Sequence, residues 1–243
     1  VGSEMCIRDR IYTASENRLA LQELLPEAII SCYDSYDDSQ LSHLLDWADV
    51  VCIGCGLGMG QISEKILKNV LKNVSCPCVI DADGLNLLSR NIELLNQCCA
   101  PVILTPHMKE MSRLTGWSID TIMEDRFQAL DQIIKQSGPD TKSSIICVLK
   151  DSRTVVAQTN RQRFVNLAGN NSMAKGGSGD VLAGTIAGLL AQHMAPFEAT
   201  TVGVFLHACG GDEAKKSKGS YSVLARDLIQ GMADAMKNAK ECR

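Results

Sequence analysis

The strongest constraint on the fold is a pattern that repeats along the chain: a short apolar run, a polar or glycine-rich tip, and then a segment with helical spacing. The four apolar runs with their tips are "ADVVCIG" (48–54), "CPCVIDADG" (76–84), "APVILTPH" (100–107) and "SSIICVLKD" (143–151). Strands that alternate with helices are typical of a parallel sheet covered by helices on both faces. We therefore predict an α/β fold with a mostly parallel central sheet.

The segments between and after these runs predict helices and one hairpin. Apolar residues recur at helical spacing in "QISEKILKNVLKN" (61–73), and "MKEMSRLTG" (108–116) ends at a glycine typical of a helix terminus. Ser118 is expected to cap a helix from Ile119 to about Lys135. The segments "TVVAQ" and "RFVNL" predict an antiparallel pair, and the remainder is predicted to be helical over 179–193, about 197–216, and 222–240.

The polar tips are expected to meet at one edge of the sheet. In parallel sheets, ligands bind beyond the carboxyl ends of the strands. The residues that this rule brings together are Gly54, Gly56 and Gly58 after the first run, Asp81 and Asp83 after the second, Thr105 and His107 after the third, and Lys150 after the fourth.

The segment "AKGGSGDVLAG" (174–184) places three glycines before Asp180 and a helical stretch. The free N–H groups and the dipole of a helix N-terminus attract anions, and glycines let a phosphate approach the backbone. Asp180 could equally be a simple helix cap. The segment matches neither a G-x-x-x-x-G-K-[ST] loop nor a G-x-G-x-x-G fingerprint, so by itself it predicts an anion site without naming the anion.

Composition narrows the class of protein. The chain has 243 residues with 24 basic and 28 acidic side chains. It has a pI near 5.6 and scattered basic residues, which argues against nucleic acid as a partner. No apolar run is long enough to span a membrane and no signal peptide pattern is present, so we expect a cytoplasmic protein without a membrane partner.

The 11 cysteines are odd in number and irregularly spaced. Cys52 and Cys55 form a C-x-x-C, yet no second pair completes a zinc site. We therefore expect buried free thiols in a reducing compartment.

The first ten residues, "VGSEMCIRDR", fit no periodic pattern and resemble translated adaptor sequence. We interpret residues 1–10 as a non-native leader and residues 11–243 as one domain.

Six motifs in a fixed order carry a family resemblance: "GCGLG", "DADGLNLL", "LTPHMKEMSRLTG", "VLKDSRTVV", "GNNSMAKGGSGDVLAGTIAGLLAQ" and "FLHACGGDEA". Together they resemble the ADP/ATP-dependent NAD(P)H-hydrate dehydratases, a branch of the ribokinase-like superfamily, over about residues 11–240. The resemblance implies a three-layer sandwich. It also implies that the family's first strand, first helix and glycine-rich segment are missing, which leaves the domain incomplete at its N-terminus.

The resemblance implies repair of NAD(P)H whose nicotinamide ring has been hydrated, by phosphorylation of the ring hydroxyl and loss of phosphate. Asp180 would be the general base, and the amides of Gly176 to Gly179, chiefly Gly177 and Gly179, would form an anion hole. The implied substrate-binding residues are Gly56, Gly58, His107 and Asp180. The implied nucleotide-binding residues are Lys150, Asp151, Ser152, Arg153, Thr154 and Gly179.

Asp151 stands where the family usually has glycine, so it either points away from the nucleotide or alters its affinity. Asp81 and Asp83 would shape the pocket or hold magnesium through water, and no residue is assigned as a direct metal ligand. His207 and Asp212 are interpreted as packing and helix-end residues despite their match to the family.

The implied cofactors are ADP or ATP as phosphoryl donor, and Mg²⁺. The resemblance also implies that the protein forms a homo-oligomer, with a tetramer as one form. It further implies an NAD(P)H-hydrate epimerase as partner, either fused to this domain or as a separate protein. Two alternatives stay open at this point: a small-molecule kinase of the hydroxyethylthiazole kinase type, and a nucleotide-binding protein without turnover.

Overall fold

A computed structural model describes residues 8–136, 143–159 and 162–241. The chain begins with two strands that pair in parallel as a small separate sheet, β1 (Arg10–Ala14) and β2 (Ile29–Tyr33). A 3₁₀ turn (Ser15–Asn17) and helix α1 (Arg18–Leu24) connect them, and α2 (Asp38–Trp47) leads to the main sheet.

The main sheet has six strands in chain order, so each strand pairs with its neighbours in sequence. They are β3 (Val51–Ile53), β4 (Cys78–Ile80), β5 (Val102–Leu104), β6 (Ile145–Leu149), β7 (Val155–Gln158) and β8 (Arg163–Val165). The pairings from β3 to β6 are parallel, whereas β7 and β8 are antiparallel to their neighbours.

Helices follow the parallel strands and complete the C-terminal part. They are α3 (Gln61–Asn73), α4 (Ala82–Leu88), α5 (Met108–Thr115), α6 (Ile119–Glu124), α7 (Arg126–Gln136), α8 (Ser178–Leu190), α9 (Pro196–Lys218) and α10 (Ala225–Glu241). Further 3₁₀ turns span Ile92–Gln97 and Asn171–Met173.

Successive residues of each strand point to opposite faces of the sheet and form two apolar cores. On β4, Cys78 and Ile80 join a core with α2 to α7, while Val79 joins a second core with α8 and α9. The sheet is therefore buried on both faces, which explains why its strands read as continuous apolar runs. The predicted α/β class with helices on both faces is confirmed.

Two predictions of secondary structure need correction. The helix expected from Ile119 to Lys135 is two helices, α6 and α7, because Asp125 is extended (φ −144°, ψ 92°). The Asp125 carboxylate accepts a hydrogen bond from Gln128 N at 2.9 Å, so it caps and restarts the second helix. The second correction concerns β1, α1 and β2, which the sequence analysis did not predict.

Other local predictions are confirmed. Ser118 caps α6 by accepting from Thr121 N, Gly116 ends α5 in the left-handed region (φ 75°), and β7 and β8 form the expected antiparallel pair. Strand β1 starts at Arg10, the last residue of the predicted leader, while residues 1–7 lie outside the described part; the domain limits stay a prediction.

The nine cysteines within the described residues are free thiols, but only Cys78, Cys98 and Cys147 are buried. The expectation of burial is wrong for Cys52, Cys55 and Cys99, which are exposed. Cys52 lies on the edge strand β3 and Cys55 on the turn after it, and no strand of the described chain covers that edge. Cys6 and Cys242 fall outside the described residues.

Within residues 8–136, 143–159 and 162–241, no helix combines the length and apolar character that a membrane crossing requires.

Candidate functional site

The turn after β3 brings the backbone unusually close to β4 and α4. Gly54 has φ +121°, and a Cβ there would lie 1.8 Å from the carbonyl oxygen of Asp81. Gly56 and Gly58 also have positive φ, at +70° and +79°. The amide of Gly58 donates to Asp83 Oδ2 at 2.8 Å, so the Asp83 carboxylate holds this turn in place. Glycine at position 54 is thus required by both backbone angle and contact.

Asp81 and Lys150 form a buried ion pair where β4 and β6 end. Lys150 Nζ lies 2.6 Å from Asp81 Oδ1, and the two side chains are 17% and 2% exposed. A Cβ on Gly179 would lie 3.1 Å from Lys150 Nζ and 3.5 Å from Asp81 Oδ2. The pair therefore sits directly against the first turn of α8, and glycine at 179 leaves space beside the ammonium group.

The first turn of α8 provides donors for an anion. Gly177 precedes the helix in the left-handed region (φ 85°). The Ser178 amide donates to Lys175 O at 3.2 Å, which removes it from the predicted anion hole. Among the described residues, the amides of Gly176, Gly177 and Gly179 donate to no backbone carbonyl. Of these three glycines, Gly179 lies against the Lys150 ammonium, so free N–H groups and a cation occur together at this helix start, which favours an anion such as phosphate.

Asp180 is exposed in that same turn and faces two other groups. Ligand atoms of Asp180, Asp81 and Cys55 all lie within 4.8 Å of one another. Hydrogen bonding to the Cys52 thiol, followed by partial desolvation and the Asp180 carboxylate, raises the pKa of the Cys55 thiol well above its ordinary value. Cys55 is therefore a neutral thiol beside the candidate base.

His107 begins α5 and is held by a reciprocal cap with Glu110. Its Nδ1 accepts from the amides of Lys109 (3.1 Å) and Glu110 (3.2 Å), while Glu110 Oε2 accepts from His107 N at 2.9 Å. Burial and the nearby Lys150 ammonium lower the pKa of His107. Nδ1 accepts from the helix amides, and Nε2 lies 3.4 Å from Glu110 Oε1. Nε2 is therefore the ring nitrogen that could contact a ligand, with Glu110 beside it.

The segment from Lys150 to Thr154 connects β6 to β7 and leads away from the Asp81 pair. Asp151 does not point toward the anion region: its Oδ2 accepts from Arg126 Nη2 of α7 at 2.7 Å. Ser152 and Arg153 are exposed. Beside them lies a cavity of about 310 Å³, whose lining includes Arg126, Arg153, Val155 and Val165. The lining also includes Glu124 and Asp125, so the segment runs between the anion region and a cavity whose walls carry both charges beside apolar residues.

Two further residues support the start of α8. His207 of α9 is buried, with its Nε2 3.4 Å from Ser178 Oγ, and burial lowers its pKa to about 4. Asp212 accepts hydrogen bonds from Gly169 N and Asn170 Nδ2, which fixes the loop that precedes α8. Their contacts agree with the predicted packing role.

Oxygen ligands for a magnesium ion are present at this site. The carboxylates of Asp81 and Asp180 approach each other near the free amides, and Mg²⁺ in nucleotide sites keeps several waters and binds through one or two carboxylates. Asp81 shares Oδ1 with Lys150, and Asp83 holds the glycine turn. The donor set fits a magnesium ion held mainly through water and phosphate oxygens.

The structure brings most of the predicted site residues to one rim: Gly56, Gly58, His107, Lys150, Gly177, Gly179 and Asp180. The residues of the segment 151–154 lie farther along the connection to β7. Sequence reasoning missed Cys55, Glu110 and Arg126. Glu110 could have been found, because it stands three positions after His107 in the spacing of a capping box.

The sequence of this chain is similar to those of one known protein family. The sequence profile described as NAD(P)H-hydrate dehydratase matches residues 8–233. The ADP-dependent (S)-NAD(P)H-hydrate dehydratase of Neisseria meningitidis is 35% identical over 222 residues, which is 89% of this chain and 73% of that protein. The bifunctional NAD(P)H-hydrate repair enzyme Nnr of Moorella thermoacetica is 37% identical over 79% of this chain. The chain spans about a third (35%) of the length of that bifunctional relative.

Two solved structures share the fold. The ADP/ATP-dependent NAD(P)H-hydrate dehydratase of Bacillus subtilis, co-crystallised with ATP and Mg²⁺ and soaked with CoA, gives a TM-score of 0.76 at 26% identity. The match covers 96% of this chain and 81% of that one. A ribokinase-like superfamily protein of Enterococcus faecalis gives a TM-score of 0.76 at 33% identity, covering 95% and 77% of the two chains. The fold is therefore the ribokinase-like α/β sandwich.

Proposed function

This chain belongs to the NAD(P)H-hydrate dehydratase family, and we propose that it restores hydrated NAD(P)H by nucleotide-dependent dehydration. The observation that carries the proposal is the arrangement at the start of α8. A carboxylate, Asp180, stands beside free amides and the Lys150 ammonium. The glycine turn 54–58 lies close to Asp180, because Cys55 Sγ of that turn is within 4.8 Å of an Asp180 carboxylate oxygen. This is the combination that phosphoryl transfer to a hydroxyl requires: a base, an anion hole and a phosphate-binding cation.

The first step is transfer of the terminal phosphoryl group of ADP or ATP to the ring hydroxyl. The hydroxyl oxygen attacks phosphorus, the bond from phosphorus to the nucleotide oxygen breaks, and Asp180 accepts the hydroxyl proton. The amides of Gly177 and Gly179 stabilise the negative charge on the transferred group. Lys150 adds a positive charge, and Asp81 holds its ammonium group at that position.

The second step is elimination of phosphate, a far better leaving group than hydroxide. The carbon–oxygen bond breaks and phosphate leaves with its electron pair, the neighbouring carbon loses a proton to solvent, and the carbon–carbon double bond of the dihydronicotinamide re-forms. The glycine turn at Gly56 and Gly58, together with His107 Nε2, would position the hydrated ring. These two elements have open faces on the same rim, since Gly56 has no atom within 4 Å of its missing Cβ and the side chain of His107 is 49% exposed.

The nucleotide would lie along the segment from Lys150 to Thr154. Its phosphates would meet the α8 terminus, and its nucleoside would extend toward the cavity that Arg153 lines. The pairing of Asp151 with Arg126 neutralises the carboxylate that replaces the usual glycine, so we expect nucleotide binding to survive the replacement. A magnesium ion held through water by Asp81 and Asp180 would neutralise charge on the phosphates.

We also propose that the protein is cytoplasmic, forms a homo-oligomer and works with an NAD(P)H-hydrate epimerase. The support for assembly is an exposed apolar stripe on α9, where Val202 and Phe205 are 36% and 53% exposed. The support for the epimerase is that the related Nnr proteins carry the name bifunctional repair enzymes.

The decisive experiment incubates the chain with hydrated NADH, Mg²⁺ and either ATP or ADP, and follows the absorbance of the reduced nicotinamide. We expect recovery that depends on the nucleotide, and a reaction without nucleotide is the control. Accumulation of a phosphorylated hydrate without recovery would indicate a kinase instead. Nucleotide binding without either product would indicate a binding protein without turnover.

A further inference from the structure

Cys55 gives this rim a chemistry that the proposed reaction does not use. Its Sγ lies within 4.8 Å of both a carboxylate oxygen of Asp180 and a carboxylate oxygen of Asp81. Asp180 and Cys55 are exposed to solvent, whereas Asp81 is 1% exposed and forms the floor of the site. A thiol and two carboxylates therefore converge on one point that an ion can reach from solution.

The two oxygens of the Asp81 carboxylate face different groups. Oδ1 accepts from Lys150 Nζ at 2.6 Å, whereas within residues 8–136, 143–159 and 162–241 no hydrogen-bond donor contacts Oδ2. Oδ2 faces the start of α8, at 3.5 Å from the position that a Cβ on Gly179 would occupy. Oδ2 therefore lies on the side of the carboxylate that faces Cys55 and Asp180, where its lone pairs can bind a cation.

We propose that Cys55, Asp180 and Asp81 form a binding site for a thiophilic divalent cation such as Zn²⁺ or Cd²⁺. Zinc takes thiolate sulfur and carboxylate oxygen as ligands, commonly in a tetrahedral arrangement, and three protein ligands leave a fourth position for water or for the neighbouring Cys52 thiol. Magnesium does not prefer thiolate sulfur, so Cys55 separates this site from a magnesium site that uses the same carboxylates.

Binding exchanges a proton for the ion. The Cys55 sulfur–hydrogen bond breaks, the proton leaves to solvent, and a metal–sulfur bond forms with the thiolate. Lys150 keeps its contact with Asp81 Oδ1, because the other oxygen, Oδ2, binds the metal ion. Because Asp180 would then be a metal ligand, it could not accept a substrate proton. This consequence rests on the proposed function: zinc would inhibit the dehydratase by occupying its base.

The test uses Cd²⁺ alone as probe on the full 243-residue chain, with excess Mg²⁺ present, and follows the ultraviolet absorbance of the cadmium–thiolate bond. The variants are Cys55→Ala, Cys55→Ser and Asp180→Asn, with Cys99→Ala as the matched control because Cys99 is another exposed cysteine. We expect a first tight equivalent in the parent and in Cys99→Ala, and its loss in both Cys55 variants. Asp180→Asn keeps every thiol, and we expect its affinity to fall by about tenfold or more.

Two results would overturn the proposal: equal loss of the first equivalent in Cys99→Ala and Cys55→Ala, or an Asp180→Asn variant that binds Cd²⁺ as tightly as the parent. Circular dichroism of each variant checks that it is folded, and Cys55→Ser provides a second variant of closely similar size. The titration requires no turnover. Its failure therefore leaves the dehydratase proposal standing, and an inactive parent that still binds Cd²⁺ leaves the metal site standing.

Discussion

At the scale of single residues, the site combines groups whose roles can be separated by substitution. Asp180 is exposed in the first turn of α8, where a carboxylate both stabilises the helix and faces the open rim. Lys150 and His207 lie behind it, the first paired with Asp81 and the second buried against Ser178. In the proposed reaction the proton transfer depends on Asp180, while Lys150 and His207 support the structure around it.

Asp180→Asn should remove the base and leave the anion site in place. We expect nucleotide-dependent recovery of hydrated NADH to fall by about 10²- to 10⁴-fold, with nucleotide affinity largely unchanged. Steady-state rates and equilibrium titration measure the two quantities. Asp120→Asn is the matched control, since Asp120 is also a first-turn aspartate, in α6. A fully active Asp180→Asn variant would exclude Asp180 as the base.

His207 should make the protein less stable as the pH falls. Its pKa is lowered from 6.5 to about 4, chiefly by burial, so the unfolded chain binds a proton that the folded chain does not between these values. The free energy of unfolding therefore decreases as the pH falls from 6.5 toward 4, by about 2–3 kcal/mol in total for this residue.

Urea unfolding at several pH values between 4.5 and 7 measures this effect. His207→Asn should show a shallower decrease than the parent. His43→Asn, which changes an exposed histidine on α2, should keep the parent's slope. Equal slopes in the parent and in His207→Asn would contradict the assignment.

At the scale of elements, the C-terminal helices α9 and α10 pack against each other at two glycines. The approach of α9 to α10 is close enough that a Cβ on Gly231 would lie 2.1 Å from the carbonyl oxygen of Gly210. A Cβ on Gly210 would in turn lie 2.6 Å from Met232 Cγ. The absence of side chains at these two positions sets the distance between the helices.

Gly231→Ala should therefore destabilise the protein by about 2–3 kcal/mol, because the helices must separate or shift. Gly188→Ala is the matched control: Gly188 also lies in a helix, α8, but no atom lies within 4 Å of its missing Cβ. That variant should gain about 0.5–1 kcal/mol from its higher helix propensity. Denaturant unfolding of both variants measures the difference, and equal changes would refute the packing argument.

The Arg126–Asp151 pair joins α7 to the connection between β6 and β7. Arg126→Ala should leave the Asp151 charge unpaired beside the segment along which the nucleotide would lie, and weaken affinity for the anionic nucleotide about three- to tenfold. The double variant Arg126→Ala with Asp151→Gly should recover affinity because the charge is gone. Calorimetric titration with ADP compares the variants. If both variants bind ADP equally weakly, then Arg126 acts through the cavity wall and not through Asp151.

At the scale of the whole molecule, the proposed anion site combines residues from distant parts of the chain. Asp81 follows β4, Lys150 follows β6, and the glycine turn before Asp180 starts α8. A nucleotide bound there would tie these parts together in the folded state alone, since the unfolded chain does not bring them close.

ADP should consequently stabilise the folded chain. At a concentration of 100 times its dissociation constant, the gain is about 2.7 kcal/mol. For a chain of this size, this gain corresponds to a rise of about 5–10 °C in Tm. Asp180→Asn should show the same rise, because it keeps the amides and Lys150. Thermal unfolding with and without ADP measures it, and an unchanged Tm would contradict nucleotide binding at this rim.

Much of the fold and part of the site could be predicted from the sequence. The apolar runs at β3 to β6 indicated a parallel sheet because both faces of such a sheet are buried. The glycines before Asp180 indicated an anion site, because free amides at a helix start follow from local backbone geometry. The break at Asp125 was missed because a single capping residue barely changes the helical periodicity. Strands β1 and β2 were missed because two short strands give only a weak periodic pattern.

The sequence by itself determined the layers, the rim on which the polar tips lie, and the family, since each depends on the order and local pattern of residues. Only the tertiary structure decided which side chains meet across that rim. The pairing of Lys150 with Asp81, of Asp151 with Arg126, and the approach of Cys55 to Asp180 join residues 25 or more positions apart in the chain. Such contacts depend on how strands and helices are placed in space, and no local periodicity encodes them.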